Sequence, residues 1–193
     1  MRIGRVLYPI KALGPGERLG IWVSGCERRC PGCANPELWS KEGREVMLPI
    51  LLSMCRAAVK DYRLSGITIT GGEPLLQAEE LTDLLEGLDG ICKDILLFTG
   101  YTMEEIKGAD NPHFPKLLSH VSVLVDGEYI QERNEGDLLR GSSNQVIHYL
   151  DETVKAKYEA YLRTDRRIID SFAAEDGIVS VGIHPVQFMA NER

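Results

Sequence analysis

Three of the five cysteines in this chain, Cys26, Cys30 and Cys33, fall within the stretch "VSGCERRCPGCANPELW", which runs from Val23 to Trp39. At these separations several sulfurs can surround one metal centre, and Gly25, Pro31 and Gly32 suit a loop that folds tightly around it. Closed zinc sites and ordinary iron–sulfur sites take four protein ligands, so three thiolates leave one coordination position open. Two other readings of the same residues stand beside this one. The thiols are small core side chains gathered by chance, or they form a zinc knuckle completed by His113 or His148, neither of which has the local spacing of a zinc motif.

A second constellation is "TGGEP", Thr70 to Pro74. Its bland reading is a strand-to-helix turn, with Gly71 and Gly72 bending the chain, Glu73 favourable at the helix start and Pro74 in the first turn. Its functional reading is a cradle for a ligand ammonium, met by the Glu73 carboxylate and by strand-end carbonyls. "TGY" at Thr99 and "DG" at Asp126 follow later in the chain, and "RGSSNQ", Arg140 to Gln145, has the composition of a polar loop. Cys55 and Cys92 read as core side chains. The four histidines are scattered, and no G-x-S-x-G or P-loop pattern occurs.

These residues need elements to position them, and the pattern predicts strands alternating with helices. Ile21–Ser24 is a short strand that leads into the cysteine loop, Leu48–Tyr62 a helix, and Gly66–Thr70 a strand. A helix follows over Pro74–Leu88, then a strand in "DILLFTG", a short helix over Thr102–Lys107 and a strand in "VSVLVDG". Such alternation implies parallel strands and either a doubly wound sheet or a partial β/α barrel. In both, ligands sit at the C-terminal strand ends, where the cysteine loop, "GGEP", "TGY" and "DG" all fall. After Leu150 the pattern changes. Val154, Tyr158, Tyr161 and Leu162 share a helix face, while Ile168–Phe172 and Ile178–Ile183 flank "AAEDG" as a hairpin. The prediction is one α/β domain over residues 1–193, a partial (β/α) barrel of mostly parallel strands. Its core spans about 14–150, and a C-terminal helix and hairpin extension spans 151–193.

The length of 193 residues supports one domain with a proper core, and the 44% hydrophobic content fits a globular protein. With 22 basic against 29 acidic side chains the net charge is −7, which argues against nucleic acid or an anionic membrane surface as a partner. The start of the chain lacks a signal-peptide pattern and no later run matches a membrane span, so a cytoplasmic location is expected. Five cysteines, three of them crowded, fit reduced metal-holding thiols better than a disulfide framework.

The C-x3-C-x2-C pattern of Cys26, Cys30 and Cys33 resembles the signature of the radical S-adenosylmethionine superfamily. "TGGEP" resembles that superfamily's Gly-Gly-Glu-Pro motif. "GPGER" at Gly14–Arg18, "LLFTGYTMEEI" at Leu96–Ile106 and "VDGEY…LLRGSSNQ" at Val125–Gln145 are similar to segments of the glycyl-radical enzyme activases that serve anaerobic ribonucleotide reductase. The matches span about Gly14 to Gln145. The resemblance implies one 4Fe-4S cluster held by Cys26, Cys30 and Cys33, its fourth iron open to the amino and carboxylate groups of S-adenosylmethionine. It implies cofactor contacts from Thr70, Gly71, Gly72 and Glu73, with Thr99 and Asp126 near the methionine carboxylate and any accompanying cation. The implied reaction is reductive cleavage of S-adenosylmethionine to a 5′-deoxyadenosyl radical, which takes a glycine α-hydrogen from a partner enzyme. The electron would come from a flavodoxin or ferredoxin-type donor. The same chemistry on a peptide or small molecule is the nearest alternative. From another class comes a non-catalytic iron–sulfur or metal-binding module, which would shield its cluster with a fourth ligand.

Overall fold

β-Branched and leucine-rich runs bounded by glycines and short polar turns form the centre of a seven-stranded sheet. The computed structural model describes residues 1–164, 166–174 and 177–184. Strand β1 (Arg2–Ile10) leads to β2 (Arg18–Val23), the cysteine loop, a 3-10 turn (Pro36–Leu38), β3 (Arg44–Glu45), α1 (Leu48–Asp61) and β4 (Gly66–Gly71). A second 3-10 turn (Pro74–Gln77) runs into α2 (Ala78–Gly87). Then come β5 (Ile95–Phe98), α3 (Met103–Gly108), α4 (His113–Ser119), β6 (Val123–Asp126), a third 3-10 turn (Gln131–Arg133), β7 (Val146–Tyr149) and α5 (Glu152–Leu162). Strands β8 (Asp170–Ala174) and β9 (Gly177–Val181) pair in a separate antiparallel hairpin.

The sheet order is β3-β1-β2-β4-β5-β6-β7. The central run β2-β4-β5-β6 is parallel, as the strand and helix alternation predicts. Its flanks are antiparallel: β1 pairs with β2 and β3, and β7 with β6. The sequence pattern missed β1 because "RIGRVLYPI" mixes charges, a glycine and a proline into the run, and the strand is correspondingly bulged against β2. It missed β7 because "VIHY" continues a polar loop without a turn signal.

Side-chain alternation sorts the parallel strands between two faces. Ile21, Ile67, Ile69, Leu97 and Leu124 join Leu51, Leu81, Leu84 and Leu117 in one core, so α1, α2, α3 and α4 cover the same face. Crossover helices on one side are at odds with a doubly wound sheet, which carries them on both. The sheet remains open. On its other face Leu96, Val123 and Val125 pack with Leu139 and with Tyr158 of α5, while Trp22, Leu13 and Ile10 pack with Val181 of β9. The predicted extension is thus a helix and a hairpin laid on the second face. The residues joining β8 to β9 in the predicted hairpin, 175 and 176, lie outside the described residues, as do 165 and 185–193.

At the N-terminal edge of the parallel strands, opposite the cysteine loop, Arg18 is fully buried. Its guanidinium donates to Thr68 Oγ1 at 2.7 Å, to the Ile67 carbonyl at 2.8 Å and to Asp94 Oδ1 at 3.1 Å. Lys157 and Tyr158 of α5 close on the same carboxylate at 2.6 and 2.7 Å. The arginine of "GPGER" therefore fastens the C-terminal helix to the sheet from below, far from the ligand edge.

Candidate metal centre and cofactor cavity

Gly25 takes φ +99°, a left-handed conformation that turns the chain out of β2 into the cysteine loop. The loop is then sewn back by backbone bonds. The Gly25 N–H donates to the Leu38 carbonyl at 2.8 Å, the Cys26 N–H to Trp39 O at 3.1 Å and the Cys33 N–H to Cys30 O at 3.1 Å. The turn after β4 is tied to the same loop, since the Gly72 N–H donates to Val23 O and the Glu73 N–H to Gly25 O, both at 2.8 Å. The two motifs thus form one joined unit.

That joining explains both glycines. A Cβ at Gly72 would stand 2.4 Å from the Gly25 carbonyl oxygen, and one at Gly71, which sits at φ +109°, would stand 2.5 Å from the Val23 nitrogen. The close approach at Gly72 is therefore to the cysteine loop, whereas the sequence suggested approach to a ligand.

Glu73 is buried to 1% exposure. Its Oε1 accepts from the Leu75 N–H at 2.9 Å and the Thr99 hydroxyl at 2.8 Å, and its Oε2 from the Gly100 N–H at 2.7 Å. Burial pushes the carboxyl above its ordinary range, against the pull of those donors and of nearby Arg28. Three of the roughly four acceptor positions of a carboxylate are occupied, which leaves one for a further donor. Arg28, inside the cysteine loop, lies 4.3 Å from the Tyr101 ring centroid and donates to Glu105 at 2.7 Å.

The thiols of Cys26, Cys30 and Cys33 are half-buried and free. Burial raises the Cys33 thiol, opposed by the Asn35 N–H at 3.4 Å from its sulfur and by the Trp39 side chain; burial likewise raises Cys30. Thiols so raised need a metal's charge to hold them as thiolates. The Trp39 indole N–H is buried and makes no well-formed hydrogen bond. An unsatisfied donor beside Cys33 suits a sulfur that carries negative charge.

Cys26, Cys30, Cys33, Thr70, Gly71, Gly72, Glu73 and Thr99 all line one cavity of about 480 Å³. That size falls in the range of small-molecule and cofactor sites. Among the described residues, no three His, Cys, Asp or Glu side chains close on a single point as one ion requires. Neither histidine proposed for a zinc knuckle lines the cavity: His113 lies 3.9 Å from Glu79, and His148 Nε2 lies 2.9 Å from Asp126 Oδ2.

Asp126 ends its strand on the ligand edge, as predicted, but its carboxylate faces elsewhere. Oδ2 accepts from the Met103 N–H at 2.6 Å and Oδ1 from the Val146 N–H at 3.2 Å, so the side chain fastens α3 and β7. The adjoining Gly127 lines the cavity in its place. The "RGSSNQ" loop folds through Gln145, which accepts from the Gly141 N–H at 2.7 Å and donates to Gly127 O at 2.8 Å. Sequence reasoning overlooked Trp39, although a tryptophan six residues past the last cysteine was a visible signal. It also overlooked residues 178–184, which line the cavity and carry no motif.

Residues 12–148 match the family model described as a 4Fe-4S single cluster domain. The chain is 38% identical over 149 residues to an anaerobic ribonucleoside-triphosphate reductase-activating protein of Vibrio cholerae, a match covering 73% of this chain and 94% of the relative. Proteins of the same name from Salmonella typhi (34% over 151 residues; 74% of this chain, 96% of the relative) and Enterobacteria phage T4 (34% over 147; 73% and 90%) are also similar. The chain belongs to the family of anaerobic ribonucleoside-triphosphate reductase-activating proteins, radical S-adenosylmethionine enzymes with an iron–sulfur cluster.

A prediction follows from the joined motifs. Gly72→Ala forces the Gly25 carbonyl aside and lowers iron loading several-fold. Glu73→Gln keeps the loading and weakens S-adenosylmethionine binding roughly tenfold, as expected for one charge-assisted contact of about 1.5 kcal/mol. Anaerobic iron analysis and equilibrium dialysis check the pair, and full loading in Gly72→Ala would refute the steric argument.

Proposed function

We propose that this enzyme generates a glycyl radical on an anaerobic ribonucleoside-triphosphate reductase. The observation carrying the proposal is the convergence of the three cysteines and the Gly-Gly-Glu turn on one cavity, in a chain whose relatives bear that activating role in their names. In this reading the open sheet is a partial β/α barrel. Cys26, Cys30 and Cys33 hold a 4Fe-4S cluster, and the half-buried thiols and the unsatisfied Trp39 N–H fit it. Thr70, Gly71, Gly72, Glu73 and Thr99 hold S-adenosylmethionine, whereas Asp126 positions the strand end without reaching the ligand.

When bound, the reduced cluster supplies one electron that splits S-adenosylmethionine into methionine and a carbon radical able to remove a glycine α-hydrogen. The chain's own residues do the rest. Glu73 offers its remaining lone pair to the ligand's ammonium, and its bonds to Thr99 and Gly100 fix its aim. Trp22, Leu13 and Phe98 present apolar wall, which keeps water from a reactive species. A cytoplasmic setting with a flavodoxin or ferredoxin-type electron donor completes the proposal. The described residues contain no helix long and apolar enough to cross a membrane.

The test combines anaerobically reconstituted protein, reductant, S-adenosylmethionine and the reductase. A glycine-centred signal in electron paramagnetic resonance is expected. Deoxyadenosine without any radical on the reductase would redirect the chemistry to another substrate.

The Trp39 indole supplies a second check. One hydrogen bond of about 1 kcal/mol to a sulfur that gains charge on reduction corresponds to roughly 40 mV for a one-electron couple. Trp39→Phe should therefore lower the cluster potential by about that amount. An unchanged potential in redox titration would show that the indole serves packing alone.

A further inference from the structure

Seven consecutive residues, Ile178 to His184, line the cavity that holds the cysteines, yet no residue of β8 does. A strand that turns a face toward a cavity contributes every second residue, because successive side chains point to opposite sides. Four of the seven, Ile178 to Val181, belong to β9, and an unbroken run is what a strand edge contributes; Gly182, Ile183 and His184 follow the end of the strand. The opposite edge of β9 pairs with β8, in register from Ala174 with Gly177 to Asp170 with Val181. Among the described residues no backbone group other than those of β8 bonds to the backbone of Ile178–Val181. The free edge of β9 therefore presents peptide N–H and C=O groups to the cavity.

The hairpin is held firmly in this position. Val181 is buried with Trp22, Leu13 and Leu38. Asp170 accepts from the Lys11 and Ala12 N–H groups at 2.6 and 2.9 Å, and the Tyr161 hydroxyl donates to Ala12 O at 3.1 Å. The Asn134 amide reaches the His184 carbonyl at 3.0 Å, tying the end of the run to the loop after β6. At the other end Ile178 is 78% exposed, an apolar side chain at the cavity's rim.

We propose that the free edge of β9 receives the glycine-bearing segment of the reductase as an added strand. This rests on the function proposed above. An extended segment paired to a strand edge gains affinity from main-chain bonds alone, so it need carry no particular side chains, and a glycine suits it. Its residues alternate in direction, so one α-carbon can be presented toward the cysteine loop while its neighbours stay in the ladder. The family match ends at residue 148, and the relatives are covered over 90–96% of their own length, so the hairpin is a docking element that this chain adds to the shared core.

The experiment measures amide hydrogen exchange of the full-length, cluster-loaded protein with and without the reductase. Amides within 178–183 are expected to slow at least tenfold in the complex. Val179→Pro and Ser180→Pro provide an independent arm. These residues occupy adjacent pairs of an antiparallel ladder, so one N–H points to β8 and the other to the free edge. The variant that retains the exchange protection of β8 and β9 is the free-edge one, and in it the glycyl radical formed per deoxyadenosine should fall at least tenfold. A radical on the reductase with unchanged exchange at 178–183, or an unchanged ratio in the free-edge variant, overturns the docking assignment and leaves the function standing. Deoxyadenosine with no radical in the wild-type protein overturns the function, and the docking assignment with it.

Discussion

Alanine in place of any one of Cys26, Cys30 or Cys33 is expected to abolish cluster assembly and reduce S-adenosylmethionine cleavage to background. The three sulfurs line one cavity, and the histidine that lines it among the described residues, His184, has its Nε2 2.7 Å from the Ser180 hydroxyl oxygen. The remaining thiols are remote: Cys55 is fully buried in α1, where burial pushes its thiol up to about 12, and Cys92 lies before β5 outside the cavity. His113 and His148 are engaged elsewhere, beside Glu79 and Asp126. Cys55→Ala should therefore keep full iron content while losing about 1 kcal/mol of stability with its buried sulfur, and Cys92→Ala should keep both. Iron and sulfide per chain, with the absorption spectrum under anaerobic conditions, check all five variants. Retention of a complete cluster in any of the first three, or zinc in place of iron in protein isolated without oxygen, would refute the ligand assignment.

The cysteine spacing and "TGGEP" were legible because their chemistry is carried by residues adjacent in the chain. The parallel core was legible for a similar reason. "GITIT" is β-branched at four of its five positions and "ILLF" is apolar throughout, the composition that a strand buried on both faces favours. What stayed hidden depends on neighbours distant in sequence. Gly72 is needed because the backbone of Gly25 passes beneath it, a contact that no local pattern encodes. Asp126 stands at the predicted strand end, but the N–H groups of Met103 and Val146 claim its oxygens. The strand Ile178–Val181 was legible as half of a hairpin, yet its place against the cysteines is set by the apolar contact of Val181 with Trp22 and by the Asp170 bonds to Lys11 and Ala12. Those are partners about 160 positions away.

Asp94→Ala should lower the melting temperature by roughly 6–20 °C, through a loss of about 3–5 kcal/mol. Arg18 has no exposed surface, and Asp94 is the carboxylate that balances its charge, so removing it strands a guanidinium inside the protein. The same change frees the Tyr158 hydroxyl and Lys157, and α5 loses its fastening to the sheet. Lys157→Met should cost no more than about 1 kcal/mol, since the lysine is 39% exposed and water can replace its partner. Acid provides a separate readout. Burial alone would raise the Asp94 carboxyl, but the Arg18 charge and the bonds from Arg18, Lys157 and Tyr158 outweigh it and hold the group below its ordinary 3.8. A carboxyl depressed in the folded state contributes its full stability above the unfolded value and loses it as pH falls through the folded value. The gap in melting temperature between wild type and Asp94→Asn should thus stay constant from neutral pH down to about 4 and narrow below it. A gap that closes well above pH 4, or Asp94→Ala and Lys157→Met variants of equal stability, would show that this carboxylate does not hold the buried arginine in place.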